Sequence, residues 1–231
     1  MATRIGGQYD DTTATAPVVR TFTAGAGAVL YGKFEGGAGV VPAASFTDPG
    51  GNGWTRIALN YHATGSEPGL VIYLCTNIVS SGSVTVTIPY TGTGTFLQAG
   101  VEEWSKTAGT TFAVDSVTSA NGSGGGGSGT YNAVGTAVSS AAGFAVLAVA
   151  EFASLATPAG GGTPAFALTV PSTANGDSLS AYAAVAAAST SVTPSITVTS
   201  GFTRSVQTLV LIKEVTAGGA TPKQLMTTGV G

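Results

Sequence analysis

The stretch GLVIYLCT (Gly69–Thr76), NIVSSG (Asn77–Gly82), SVTVTIPY (Ser83–Tyr90), TGTG (Thr91–Gly94) and, after Thr95, FLQAGVEEW (Phe96–Trp104) decides the fold. Val84, Val86 and Ile88 alternate with Thr85 and Thr87, the period of a strand with one buried face. Leu70–Thr76 and Phe96–Trp104 are rich in β-branched and aromatic residues, and Gly, Ser or Asn closes each run. Three strands lie close together with no helical pattern between them. A parallel pair would need a crossover of about a dozen residues, so the spacing predicts antiparallel pairing. The expected fold class is all-β, an antiparallel β-sandwich of jelly-roll type with this stretch at its centre.

Outward from there, the same signals place strands at Val18–Phe22 and Ala28–Glu35, the latter with Val29, Tyr31 and Lys33 on one face and Leu30, Gly32 and Phe34 on the other. Further strands are expected at Trp54–His62, Thr111–Ser119, Tyr131–Val138, Gly143–Phe152, Phe166–Val170, Ser178–Ala188, Ser195–Thr199 and Ser205–Val215. GFAVLAVAEF (Gly143–Phe152) is the most apolar, as a central strand buried on both faces must be. The alanines of Tyr182–Ala188 favour helix intrinsically, but they lack caps and a 3.6-residue stripe, so strand is the reading. Asp48-Pro49-Gly50 and Asn52-Gly53 mark turns, and Asn121–Gly129 (NGSGGGGSG) reads as a flexible loop. Residues 1–16 are expected to form an N-terminal arm, 17–215 the sandwich domain, and 216–231 a C-terminal linker and tail whose Leu225 and Met226 could dock on a partner.

Composition narrows the function classes. Of 231 residues only 8% are charged, with 35 Gly, 10 Pro and a net charge of −3. Ordinary globular domains carry about 25% charged residues. A surface this poor in charge suits burial against other subunits, or a Thr/Ser/Gly coat. Nothing resembles the clustered Lys and Arg of a nucleic-acid footprint. No run of about 18 apolar residues would span a membrane, and the N-terminal sequence lacks the apolar core of a signal peptide. Synthesis in a cytoplasm is therefore expected.

Candidate chemistry is sparse. Adjacent strand residues face opposite sides, so Glu102 and Glu103 cannot flank one glycosidic bond, and nothing brings Glu151 to either. The one histidine, His62, rules out a multi-histidine zinc site, and no G-x-S-x-G elbow surrounds a serine. Asp48, Asn52 and Asp177 could offer oxygen to Ca²⁺, but turn geometry explains them without a metal. The glycines at 124–127 lack the Lys-Ser/Thr of a phosphate loop. Cys75, among apolar neighbours, reads as a buried thiol. Trp54, Tyr61, Tyr73 and Trp104 could stack on sugar rings, with Trp54 and Trp104 the candidate glycan platforms, although residues of this kind are more often core or fill the ends of strands. No enzyme, cofactor or metal is expected.

The order of motifs resembles a β-sandwich module of phage virion structural proteins and bacterial surface proteins. Its pieces here are AVLYGKFEG, the D-P-G-G-N-G-W-T-R-I turn, GLVIYLCTN, S-G-S-V-T-V-T-I, LQAGVEEWS, AGFAVLAVAEF and VQTLVLIKE. The likeness is clearest over Phe46–Ser105. Trp104 stands where that module usually has Tyr, and an extra glycine sits at Gly50 or Gly51. The resemblance implies no catalytic residues. It implies a place on a virion surface: a capsid decoration protein, or else a tail fibre or appendage subunit or a carbohydrate-binding adhesin module. The expected partners are a major capsid protein or tail proteins, further copies of the chain in a trimer, and a host-surface glycan.

Overall fold

The computed structural model describes residues 1–10, 17–35, 39–61, 68–123, 129–131, 134–151, 159–171, 178–198 and 204–217. The first half holds β1 (Thr3–Asp10), β2 (Val18–Phe22), β3 (Gly27–Glu35), β4 (Val40–Pro42), β5 (Ser45–Thr47), β6 (Gly53–Tyr61), β7 (Pro68–Cys75), β8 (Gly82–Val86), β9 (Tyr90–Gly92) and β10 (Thr95–Ser105). The second holds β11 (Thr110–Ser123), β12 (Gly129–Tyr131), β13 (Ala137–Val138), β14 (Gly143–Glu151), β15 (Ala159–Thr163), β16 (Ala167–Pro171), β17 (Ser178–Val185), β18 (Ser191–Val198) and β19 (Arg204–Thr216). The all-β, antiparallel sandwich class holds.

The strands form four layers. A six-stranded sheet, β1-β10-β3-β7-β6-β5, packs face to face on a five-stranded sheet, β11-β19-β14-β17-β16. Their shared core includes Val29, Tyr31, Ile72, Trp104, Phe144, Val146, Val210 and Ile212. The far face of the six-stranded sheet is covered by the pairs β2-β8 and β4-β9, through Val18, Phe22, Val40, Val84 and Val86. β18, with its neighbours β12, β13 and β15, covers the far face of the five-stranded sheet. The central strands of both large sheets are therefore buried on both sides. This is why Pro68–Cys75 is buried at every position and Phe144–Ala150 likewise, with no polar alternation.

Within the span 17–215 the chain builds two stacked sandwiches rather than one pair of sheets. Both follow one route. The opening strand (β1, β11) lies beside the closing strand (β10, β19), and the order runs on to β3, β7, β6 in one half and β14, β17, β16 in the other. The second strand of each half pairs in the outer layer with the late strand β8 or β18. Even the irregularities correspond: β6 is bulged against β7 between Arg56 and Ala58, and β16 against β17 between Leu168 and Val170.

Four sequence expectations need correction. The strands of the central stretch are not mutual neighbours: β7 and β10 both flank β3, and β8 crosses to the outer layer. Alternation agrees with that separation, since only β8 has an exposed face. Thr3–Asp10 is not a free arm but an edge strand on β10, and Ala2 beside it is buried in the shared core. Asn121–Ser123 extends β11 instead of opening a loop, because those residues pair with Val206–Arg204. The run expected at Tyr131–Val138 is divided into β12 and β13. Of the strand expected at Ser178–Ala188, Ser178–Val185 is strand, held between β14 and β16, and Ala186–Ala188 lie beyond its end in the turn that leads to β18.

Two bare positions let aromatic rings lie across the six-stranded sheet. A Cβ at Gly100 would collide with Tyr31 Oη, and one at Gly69 with the Phe34 ring. Both pairs are direct cross-strand partners. At the centre of the molecule Trp104 stacks flat on Phe144, ring centroids 4.1 Å apart, with Phe112 edge-on to Phe144 at 5.1 Å. Phe144→Ala should lower the unfolding free energy by about 3–5 kcal/mol in urea titrations. Because the two sandwiches share this core, fluorescence and circular dichroism should report one coincident transition; two separated transitions would contradict the shared core.

Candidate functional site

Glu102 and Glu103 lie on opposite faces of β10, as alternation requires, and both are fully buried. Each is met by an arginine that reaches in from the edge. On the inner face Glu102 Oε2 accepts from Arg4 Nε at 2.7 Å. The Arg4 guanidinium also lies 4.4 Å over the Tyr182 ring, which belongs to the other large sheet. Close by, Ser180 Oγ donates to Tyr31 Oη at 3.0 Å across the same seam. Burial first, and the Glu102 charge second, push the Tyr31 phenol far above its ordinary range. On the outer face Glu103 Oε2 accepts from Arg20 Nη2 at 2.7 Å and Oε1 accepts the Thr23 amide at 2.6 Å. Glycine at position 6 leaves room for that guanidinium, since a Cβ there would stand 2.9 Å from Arg20 Nη2. The two carboxylates are separate structural anchors for β1 and β2.

The D-P-G-G-N-G-W turn is tied together by Asp48. Its Oδ1 accepts the amides of Gly50 at 2.9 Å and Asn52 at 3.0 Å. Its Oδ2 accepts Asn52 Nδ2 and the Trp54 indole Nε1, each at 3.0 Å. Asn52 Oδ1 in turn accepts the Val79 amide at 2.9 Å. Four donors thus converge on one buried carboxylate, and Gly51 takes the left-handed φ of +82° that the turn requires. Asp48 and Asn52 are turn residues here, and among the described residues no group of His, Cys, Asp and Glu could hold a metal ion.

Trp54 and Trp104 are each 1% exposed, so neither offers a ring face to a glycan. Trp54 packs between Phe22 and Phe46, and Trp104 on Phe144. Cys75 is a buried thiol, which desolvation pushes up to about 11. Leu225, Met226, His62 and Asp177 lie outside the described residues, as does the side chain of Glu151.

An apolar groove of about 310 Å³ lies between the β4-β9 pair and Arg56 of β6. Val41, Pro42, Ala44, Pro89 and Tyr90 line it, together with Arg56, whose guanidinium is held by the Pro42 carbonyl at 2.6 Å. Val41 at its mouth is 54% exposed. Among the described residues no carboxylate lines the groove, and its one cation is already engaged. Such a site can receive an apolar side chain, and it offers no acid–base pair. Sequence reading missed it because it is built from prolines and alanines of loops that carry no period.

Charge elsewhere is also paired within the chain. Lys106 Nζ donates to the Thr76 carbonyl at 2.7 Å. Asp115 takes the Ser140 amide at 2.6 Å, the Ser140 hydroxyl, and Lys213 Nζ at 3.1 Å. Burial alone would raise that carboxyl, but these donors outweigh it and hold it below the ordinary range. Glu214 behaves in the same way: burial opposes, while the Thr107 amide at 2.7 Å, its hydroxyl at 3.1 Å and the Met1 ammonium at 3.3 Å lower it.

No protein-family model matches the chain, and no curated protein matches it. Its all-β, antiparallel architecture is what places it.

Removing one partner of a buried pair leaves the other charge uncompensated. Glu103→Ala should therefore cost about 3–5 kcal/mol in urea unfolding, whereas the double change Arg20→Met, Glu103→Leu should cost much less. Equal losses in the two variants would show that Arg20 is not the partner that matters. Acid should act through Asp115 and Glu214. Their folded pKa values are depressed, so their stabilisation is complete above the unfolded carboxylate value of about 4 and is lost as pH falls through the folded values. The urea midpoint should hold from neutral pH down to about 5 and then drop, with a shallower drop in Asp115→Asn.

Proposed function

We propose that the protein is a structural protein of a bacteriophage particle, carried on its outer surface as a capsid decoration that binds and stabilises the shell. The observation that carries this reading is the allocation of charge. A chain with only 8% charged residues ties Arg4, Arg20, Arg56, Lys106 and Lys213 to internal acceptors. It leaves Val19, Val41, Val79 and Val138 more than half exposed. A surface of this kind is fitted to lie against protein neighbours.

A four-layer slab with interlocked cores resists deformation, which suits a protein that clamps a lattice under pressure. The groove at Val41, Pro42, Pro89 and Tyr90 is concave and ready to seat an apolar knob from the shell. Because the lysines and arginines named above are already engaged within the chain, attachment should depend weakly on salt. The motif likeness to the phage module points the same way. The glycan-binding alternative loses its two best platforms with the burial of Trp54 and Trp104.

Immunogold electron microscopy on particles purified from the source phage, with antibody to this chain, tests the reading directly. Gold over the heads is expected; gold on tails alone would transfer the protein to a tail component, and unlabelled particles would sink the virion reading. In co-sedimentation with stripped shells, Val41→Asp should weaken binding by about tenfold, while a change from about 50 to about 500 mM salt should alter it by only about twofold.

A further inference from the structure

The edges of the two large sheets are not treated alike. β1 is broken by a bulge between Arg4 and Gly6, which leaves five residues, Gly6–Asp10, in continuous register. At the other edge β5 is three residues long, and β6 beyond it is bulged between Arg56 and Ala58. β16 is five residues long, bulged between Leu168 and Val170, and closed by Pro171. Short strands, bulges and proline are the devices that keep an edge from pairing with another chain.

β11 has little of this protection. It is 14 residues long, and among the described residues it pairs with β19 alone. Its single bulge lies between Val114 and Ser116, near one end, and the run Ser116–Ser123 continues in register for eight residues. No proline or lysine interrupts that run. Val114 and Val117 are 37% and 38% exposed. Asp115 is the only charged residue of β11, and Lys213 and Ser140 already engage it. Two copies of this edge would meet without repulsion.

We infer that β11 is a self-pairing edge: its Ser116–Ser123 run adds to the same run of a second copy, joining two five-stranded sheets into one of ten strands. An antiparallel strand meeting its own copy closes on a twofold axis and needs no further sequence. Every residue that one protomer offers is then matched by the other's neutral Ser, Thr, Ala, Asn, Gly or Val. The assembly is a dimer, in place of the trimer expected from sequence, and it holds whether or not the virion reading does.

Sedimentation velocity on the full chain from about 1 to about 100 µM tests it. The wild type should dimerise across that range. With the twofold axis at Ser119, in the middle of the run, Ser119→Lys should raise the dimer dissociation constant by about tenfold, since the two introduced charges would face each other across the axis. Mixing Ser119→Lys with Ser119→Glu should restore dimers, which only direct pairing of the two edges would do. Hydrogen exchange on the wild type gives a readout that needs no variant: Thr118–Asn121 amides should gain protection as concentration rises. A monomer throughout the range overturns the inference, whether the edge is bare or is covered by the chain's own tail. A dimer indifferent to Ser119→Lys, with concentration-independent exchange in Thr118–Asn121, overturns it equally.

Discussion

The whole molecule depends on the contact between its two large sheets, where Trp104 lies flat on Phe144. Once that contact forms, each sheet has one face covered by the other and one covered by its own outer layer. The central strands are then apolar over most of their length, as β7 and the Phe144–Ala150 part of β14 are. A sheet buried on both faces cannot shed polar side chains into solvent, so any that remain must be neutralised within the fold. Tyr31 illustrates the consequence. Its ring fills space over Gly100, its hydroxyl is answered by Ser180 from the facing sheet, and its phenol is driven far from ionisation.

The same constraint explains where charge went. Glu102 and Glu103 sit in the closing strand of the first sandwich, where neither can reach water. The strands at the margin supply the arginines that make this burial tolerable, with long apolar stems that cross the edge and heads that form the pairs. β1 and β2 are thus fastened by electrostatics as well as by backbone pairing. Charge used in this way is unavailable to the surface. Among the described residues, the engaged charges and the exposed valines are two aspects of one distribution.

Much of this is legible in the sequence. Alternation in Ser83–Ile88 marks an outer-layer strand and the unbroken apolar run in Gly143–Phe152 marks a central one, because burial on one face or two leaves different periods. The opposed directions of Glu102 and Glu103 follow from strand geometry alone. Their partners do not, since pairing of Arg4 with Glu102 spans 98 residues and leaves no local trace. A buried glutamate should nevertheless prompt a search for cations, and a chain with 8 Lys and Arg offers few. TRIGGQYD reads as an arm because its glycines and polar residues suppress strand propensity; pairing with β10 overrides that preference. Trp54 and Trp104 show where sequence leaves two readings open. Large aromatics look alike in sequence whether they face a ligand or fill a core, and here Asp48 on one and Phe144 on the other claim them for the interior.

The repeated route of the two halves gives the edges their meaning. β1 and β11 occupy equivalent places, each the opening strand beside a closing one, and each is bulged in its first half. Beyond the bulge they differ. β1 keeps five residues in register, and Gly6 at their start yields space to the arginine behind it. β11 continues for eight residues that include serine, threonine and valine, types that fit a pleated surface. If one sandwich served as the template for both, the first copy's edge has been shortened and fastened while the second copy's has been lengthened and left neutral. Length without a lysine or a proline invites pairing, and a protein that lets such an edge stand has either a use for it or an aggregation problem. The neutral, two-sided construction of this slab favours a use.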